Sequence, residues 1–300
     1  MTRAILTLAL CLCATIGGSA ERLPADCRWA IQLDVQKALA SQLSAVLNIK
    51  SQLKQADAAK LRMLEALTGF DPWRDLRTVT ICGVDAGGES GAILLRGTFH
   101  ADKLVTLAQA AEGYAAVAAG ARTIHTWKQG DKPAAACLVQ PDLLVIAKSS
   151  ERILAVIVAV DASEPPRAGV ILPTTSKGIL LAAGAADQLG SLIPDGPQAE
   201  LMRSTHGMSA TLSETGSALV FEANAVAADD AQAQQLVDAG RGLIALSQLT
   251  KMDGVDPALV AALRGARLER ANSALTLRLS LPIADIQRLV AQQQKALLER

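Results

Sequence analysis

The stretch that decides the fold is FDPWRDLRTVTICGVDAGGESGAILLRGTFHADKLVTLAQAAEG, residues 70–113. It begins with a short helical turn, because Asp71 can cap free N–H groups and Pro72 suits the first helical position. Residues 78–84 and 92–99 then have the pattern of two strands, and a polar, glycine-rich loop separates them. After the second strand, apolar residues recur at helical spacing. The stretch therefore predicts a turn, a hairpin and an amphipathic helix.

The residues before this stretch predict a strand followed by helix. Apolar and polar residues alternate from Cys27 to Asp34, which is the period of a strand. From Val35 onward apolar residues recur at helical spacing, as one long helix or as two helices with a break near Ser51. Gly69 suits the position just after a helix end, where the left-handed conformation is common.

The residues after this stretch predict further strands and one helix. Strands are expected over 123–129, 135–140 and 143–148. Ser149 or Ser150 can then cap a helix that carries an acidic residue in its first turn. The β-branched content of that segment also suits a buried strand, but the order of elements in the chain favours the helix.

The second half of the chain repeats this order. It has a strand from Gly178, a hairpin centred on residues 214–217, a helix, a second Asp-Pro helix start at Asp256, a strand pair around Asn272 and a final amphipathic helix. Because hairpins dominate, the sheets should be mainly antiparallel. The predicted fold class is α+β, with two similar halves, each a mainly antiparallel sheet with helices packed on one face. The predicted boundaries are a signal peptide over 1–20, a first half over 21–163, a proline-rich linker over 164–177 and a second half over 178–300.

The N-terminus has the pattern of a secretory signal peptide. Arg3 supplies the positive charge, an apolar run follows, and small residues end it at Ala20. The apolar run is short for a bilayer span, so we expect cleavage after Ala20, with an uncleaved anchor as the alternative. Cys11 and Cys13 each follow a leucine rather than the small residue expected before a lipidated cysteine. The expected location is secreted or periplasmic.

Composition excludes several partners. Half of the residues are hydrophobic and only 2% are aromatic, so the core must be aliphatic. Arg3 is the only charge in 1–20, so the remainder holds 28 basic and 29 acidic residues from totals of 29 and 29, a net charge of −1. Because no long run of one sign occurs, neither nucleic-acid binding nor a polybasic membrane patch is expected. We also expect no transmembrane segment in the mature chain.

Three cysteines remain after the predicted cleavage: Cys27, Cys82 and Cys137. All three lie in apolar, strand-like sequence, so each can be a small buried hydrophobic residue. Export also permits a disulfide, although an odd count leaves one thiol over. If one pair forms, the expected pair is Cys82 with Cys137, because both lie in strands of the first half.

No motif predicts a catalytic, cofactor-binding or metal site, so no site residue and no cofactor are expected. Residues 51–54 match Ser-x-x-Lys, but the companion motifs of that acyl-transfer site are absent, and chance explains the match. His100, His125 and His206 lack the paired spacing of metal ligands. They could form a site only by converging in space, and histidines at strand ends more often face solvent.

Part of the first half resembles a group of uncharacterised secreted bacterial proteins. The shared features are a Gly-hydrophobic-Asp-Pro turn, an Asp-Leu pair, a Val-Thr strand and a Gly-x-Phe strand that leads to a Lys-Leu helix start. In this chain they are Gly69, Phe70, Asp71, Pro72, Asp75, Leu76, Val79, Thr80, Gly97, Phe99, Lys103 and Leu104. The resemblance implies no activity, and each of these residues has an adequate structural reason.

These observations predict an exported, non-catalytic protein that binds or scaffolds an unknown protein partner or apolar ligand. One alternative is a carrier for an apolar small molecule or lipid, held between the two halves. The other alternative is a hydrolase whose residues assemble only in three dimensions. An exposed aliphatic patch on a flat surface would favour partner binding, and a large apolar cavity would favour the carrier.

Overall fold

The structure, a computed structural model, describes residues 21–48, 58–85, 90–163, 170–175, 177–185, 205–249 and 256–298. The predicted signal peptide, the possible break near Ser51 and part of the predicted linker lie outside these residues. Among the described residues, no helix is long and apolar enough to cross a membrane.

The described strands form one antiparallel sheet of twelve strands. Its order is β11-β12-β10-β9-β8-β1-β2-β3-β7-β6-β5-β4, so the β1–β8 pair joins the two halves of the chain. The strands are β1 Trp29–Asp34, β2 Leu76–Gly83, β3 Ala92–Gly97, β4 Ala115–Ala119, β5 Arg122–Gln129, β6 Lys132–Gln140, β7 Leu143–Ala147, β8 Gly178–Gly184, β9 Gly207–Thr215, β10 Ala218–Val226, β11 Arg267–Ala271 and β12 Ala274–Pro282.

Nine helices of the described residues connect or flank these strands. They are α1 Val35–Ala40, α2 Gln42–Leu47, α3 Ala58–Thr68, α4 Pro72–Asp75, α5 Ala101–Gln109, α6 Ser150–Asp161, α7 Asp230–Leu249, α8 Pro257–Arg264 and α9 Ile283–Leu298. The predicted caps are confirmed: the side chains of Asp71, Ser149 and Asp256 accept hydrogen bonds from the first-turn N–H groups of α4, α6 and α8. Gly69 ends α3 with a φ of +69°.

The larger core cluster lies on one face of the sheet, here called the core face. A smaller cluster, which includes Val237 of α7 and Leu275 of β12, lies on the opposite face in the second half. Side chains alternate between the two faces of a strand, so Leu94, Val145 and Ile124 point to the same side. Helix α6 packs there through Ile153 and Val156, both of which are fully buried. The buried side chains on this face are mostly aliphatic, as the composition required.

The opposite face also carries helices, so the expectation of helices on one face only is wrong for the first half. Helix α5 lies over Leu144 and Ile146 of β7, which alternate with the core residues of the same strand. Helices α7 and α8 lie on that same face in the second half. Because α6 covers the core face, the helices are divided between both sides.

The α+β class is confirmed, because the described residues form both helices and one large antiparallel sheet. The predicted hairpins β2–β3 and β9–β10, the single strand β8 and helix α6 are all present. Two local features were not predicted. Strand β4 forms from an alanine-rich segment, and the first helix is interrupted at Ser41, whose side chain caps α2.

Candidate functional site

The face opposite the core is lined by aliphatic side chains from one half of the chain to the other; we call it the aliphatic face. Directly paired residues of neighbouring antiparallel strands share a face, so the strand register identifies its members. In the first half it contains Ile31, Leu33, Val79, Ile81, Ile93, Leu95, Leu144 and Ile146. In the second half it contains Leu180, Ala182, Ala210, Leu212, Phe221, Ala223, Leu277 and Leu279.

The middle of the aliphatic face is open to solvent. Ile31, Ile81 and Ile93 are direct neighbours across β1, β2 and β3, and they are 43%, 40% and 38% exposed. Isolated exposed isoleucines are ordinary, but a contiguous row marks a binding surface or a ligand groove.

A groove of about 660 Å³ lies where the aliphatic face passes under α5. From the sheet, Leu138, Leu144, Ile146 and Trp127 line it, and Leu104 is one of the α5 residues opposite them. Its volume is within the usual range for small-molecule sites, which are mostly apolar with a few polar groups.

The polar groups of this first groove are largely engaged within the protein. His125 Nδ1 is hydrogen-bonded to the Tyr114 hydroxyl at 2.9 Å, and the two rings stack with centroids 5.9 Å apart. The Arg122 guanidinium bonds both carboxylate oxygens of Asp161, at 2.6 and 2.8 Å. The groove therefore favours an apolar occupant over a charged one.

A second groove, of about 450 Å³, lies at the other end of the aliphatic face, under α7 and α8. Leu236, Ile244 and Leu263 contribute from the helices, and Leu277 and Leu279 from β12. The aliphatic face thus has a helix-covered groove at each end and an open middle.

A third cavity, of about 670 Å³, lies on the core face near the β1–β8 junction and is charged. Arg96 is central to it: Nε and Nη2 donate to the Glu21 carboxylate at 2.8 and 2.9 Å, and Nη1 donates to Gln140 and Asp142. Lys37 is paired with Asp34 at 2.8 Å. The lining carries four basic and three acidic side chains, so most of this charge is matched within the protein.

The three histidines lie on separate parts of the chain. His100 precedes α5 and lies against Gly69, His125 bonds Tyr114, and His206 precedes β9 with its N–H donating to the Val226 carbonyl at 2.8 Å. Across the described ranges, no group of three or more His, Cys, Asp or Glu residues could hold a metal ion.

Sequence reasoning missed a cluster in which two cysteines meet a buried arginine. Cys27 and Cys82 lie in the same buried cluster, and Arg152 Nη2 donates to Cys27 Sγ at 2.9 Å. Asp26 holds the same guanidinium at 2.7 and 2.9 Å. The interaction with Cys27 and the positive charge of Arg152 lower the pKa of the Cys82 thiol, whereas the interaction with Cys82 and burial raise the pKa of the Cys27 thiol.

The expected Cys82–Cys137 pair is wrong. β3 and β7 stand between β2 and β6, so three strand spacings, roughly 14 Å, separate the two cysteines. A disulfide needs Cα atoms within about 7 Å. Cys137 is buried on the core face, and burial raises the pKa of its thiol. The signal for the correct neighbours was that Cys27 precedes β1 and Cys82 lies near the end of β2, its antiparallel partner.

Comparison with known proteins finds no family that matches the chain and no curated protein that matches it. Solved structures similar to it include three crystal forms of TP0453, at 8–9% sequence identity and TM-scores of 0.43–0.45. The matches cover 90–92% of this chain and 97–98% of TP0453. At these values the likeness carries no argument about function.

Proposed function

We propose that this protein is a non-catalytic binding protein whose ligand is the apolar chain of a lipid-like molecule. The observation that carries the proposal is the aliphatic face, which is open at Ile31, Ile81 and Ile93 and ends in a helix-covered groove on each side. The sequence left open whether the protein binds a protein partner or an apolar ligand, and the proposal chooses the apolar ligand. It also moves the apolar site of the carrier alternative from a cleft between the halves to one face of the shared sheet.

The shape of the grooves favours a flexible chain over a flat protein partner. Each groove lies between a helix and the sheet, where a slender apolar chain can insert and a protein surface cannot. Burial of apolar surface contributes about 25 cal/mol for each Å² removed from water, so an aliphatic chain gains binding free energy along the whole face. No contact among the described residues favours the hydrolase alternative, since the histidines lie on separate elements.

Binding is tested with a long-chain fluorescent fatty acid, added to protein from which bound lipid has been removed. Ile81→Gln, in the open middle, and Leu144→Gln, in the first groove, place an amide against the chain. We expect each to weaken binding roughly 10- to 100-fold, or about 1.5–3 kcal/mol. Val158→Gln is the matched control, because Val158 is 70% exposed on α6, away from the aliphatic face.

Two outcomes would contradict the proposal. One is the absence of saturable binding. The other is binding that Ile81→Gln and Leu144→Gln weaken no more than Val158→Gln does. Native mass spectrometry of protein taken from the producing cell adds a second readout, in which bound lipid is expected as extra mass.

We also propose that the two halves arose by duplication. Counted outward from the β1–β8 pair, the strands of one half run β1-β2-β3-β7-β6 and those of the other run β8-β9-β10-β12-β11. In each half, three strands that are consecutive in the chain lie side by side. A hairpin follows, and its second strand, β7 or β12, is the one that pairs with the third of these strands. In this comparison β4 and β5 are additions to the first half. Superposition of these two five-strand sets in this order tests the proposal, and a failure to align would defeat it.

We propose further that residues 1–20 are a cleaved signal peptide and that the protein is secreted or periplasmic. The support is the sequence pattern of Arg3, the apolar run and Ala20. The resemblance to secreted bacterial proteins over residues 69–104 agrees with this location. Intact-mass measurement of exported protein tests it, and a mass that still includes Arg3 would contradict it.

A further inference from the structure

We propose that Cys27 and Cys82 are a disulfide-forming pair, which links the segment before β1 to β2 in an oxidising compartment. Both belong to the same buried cluster, where they are 2% and 0% exposed, and each thiol shifts the pKa of the other. The pair lies between two neighbouring strands, because the residue after Cys27 donates its N–H to the Gly83 carbonyl at 2.8 Å. The inference is independent of the apolar ligand.

Arg152 favours the reactive form of this pair. Its guanidinium is buried, donates to Cys27 Sγ at 2.9 Å and is held in place by both oxygens of Asp26. A nearby positive charge stabilises a thiolate, and the thiolate is the nucleophile in disulfide exchange. Cys137, which is buried without a neighbouring strand cysteine, lacks this arrangement.

A route for the oxidant exists on the side of Cys27. This residue lines a cavity of about 830 Å³ together with Asp26, Val84 and His206. The Cys82 thiolate, which the positive charge of Arg152 favours, accepts the proton of Cys27. The Cys27 sulfur then attacks one sulfur of a small-molecule disulfide, which forms a mixed disulfide and releases one thiolate. The Cys82 sulfur then attacks Cys27 and releases the second thiolate. The two released thiolates take up the two protons that the cysteines lose, so one disulfide reactant becomes two thiols.

The test uses the full chain, reduced, freed of reductant and incubated with oxidised glutathione at increasing ratios to reduced glutathione. After acid quenching, denaturation and alkylation, tryptic peptides are mapped without reduction. We expect residues 23–28 linked to residues 78–96, with the loss of two alkylated sites, while Cys137 in peptide 129–148 stays alkylated. Alkylation of both Cys27 and Cys82 at every ratio would overturn the proposal.

Two variants distinguish the assigned pair from any other. Cys137→Ser is expected to give the same linked peptide at the same glutathione ratio. Cys27→Ser is expected to leave Cys82 alkylated, because its remaining candidate partner is three strands away. A Cys82–Cys137 peptide in either the unmodified protein or Cys27→Ser would overturn the assignment. Since the main readout comes from the unmodified protein, it does not depend on the folding of a variant.

Discussion

Leu94 and Leu95 provide a direct test of which face of the sheet holds the larger core cluster. They are neighbours on β3, so their side chains point to opposite faces. Leu94 is 1% exposed and belongs to the core cluster, whereas Leu95 is only partly buried and lies on the aliphatic face. The same substitution to alanine at both positions therefore separates packing from ligand binding.

The expected magnitudes differ severalfold. Leu94→Ala removes a fully buried side chain and leaves a cavity, which costs about 3 kcal/mol of the free energy of unfolding within the usual range of 2–5. Leu95→Ala removes side-chain surface that water already reaches in part, so we expect a cost below about 1 kcal/mol. At about 2–4 °C for each kcal/mol, the melting temperature should fall by about 6–12 °C for Leu94→Ala and by only a few degrees for Leu95→Ala.

The assay is urea unfolding, monitored by circular dichroism, together with the fatty-acid titration. We expect Leu94→Ala to shift the unfolding midpoint while the folded fraction still binds ligand, and Leu95→Ala to weaken binding while the midpoint hardly moves. Equal losses of stability in the two variants would refute the assignment of the larger core cluster to the core face. So would a larger loss in Leu95→Ala.

Three further predictions concern the turn before β2 and the contact between the two halves. Gly97→Ala should lower the free energy of unfolding in urea by about 1–3 kcal/mol, because an added Cβ would lie 2.5 Å from the Asp75 carbonyl oxygen. Gly207→Ala is the control, because the atom nearest to its added Cβ is 3.7 Å away. The hydrogen bond from Arg74 lowers the pKa of Asp75 below its usual 3.8, so its stabilising effect is present above about pH 4 and is lost as the pH falls through the folded-state pKa. Asp75→Asn should therefore lower the unfolding midpoint at pH 7 more than at pH 3, and a difference that does not change with pH would contradict this. Glu214 accepts the N–H groups of Gln42 and Leu43 at 2.9 and 2.8 Å, so Glu214→Ala should speed hydrogen exchange of those two amides roughly tenfold, with Glu222→Ala as the control.

The features that could be predicted from the sequence are those with local causes. Asp71 and Asp256 cap helices because a carboxylate three or fewer residues away can reach the free N–H groups, wherever the helix lies in the fold. The β2–β3 and β9–β10 hairpins follow from alternation on both sides of a polar loop. In each case the responsible atoms lie within a few residues of one another.

The features that could not be predicted depend on contacts between distant segments. The alanines of β4 have little strand preference, and pairing with β5 places them in the sheet. The Cys27–Cys82 contact requires β1 to lie beside β2, and the aliphatic face requires β1 to lie beside β8. The sequence showed which side chains of each strand share a face. Which of the two faces the helices would cover could be seen only once the strand order was known.

The two borders of the sheet differ in how well they resist joining another strand. At one border, β11 carries Arg267, Glu269 and Arg270 among its five residues, and charges of this kind discourage edge-to-edge association. At the other border, β4 has the sequence AAVAA, and most of it is exposed. Its outward N–H and C=O groups have no neighbouring strand in the described sheet. At high concentration, self-association of this chain would therefore begin at the alanine-rich border. One lysine introduced there at Val117 would discourage this association.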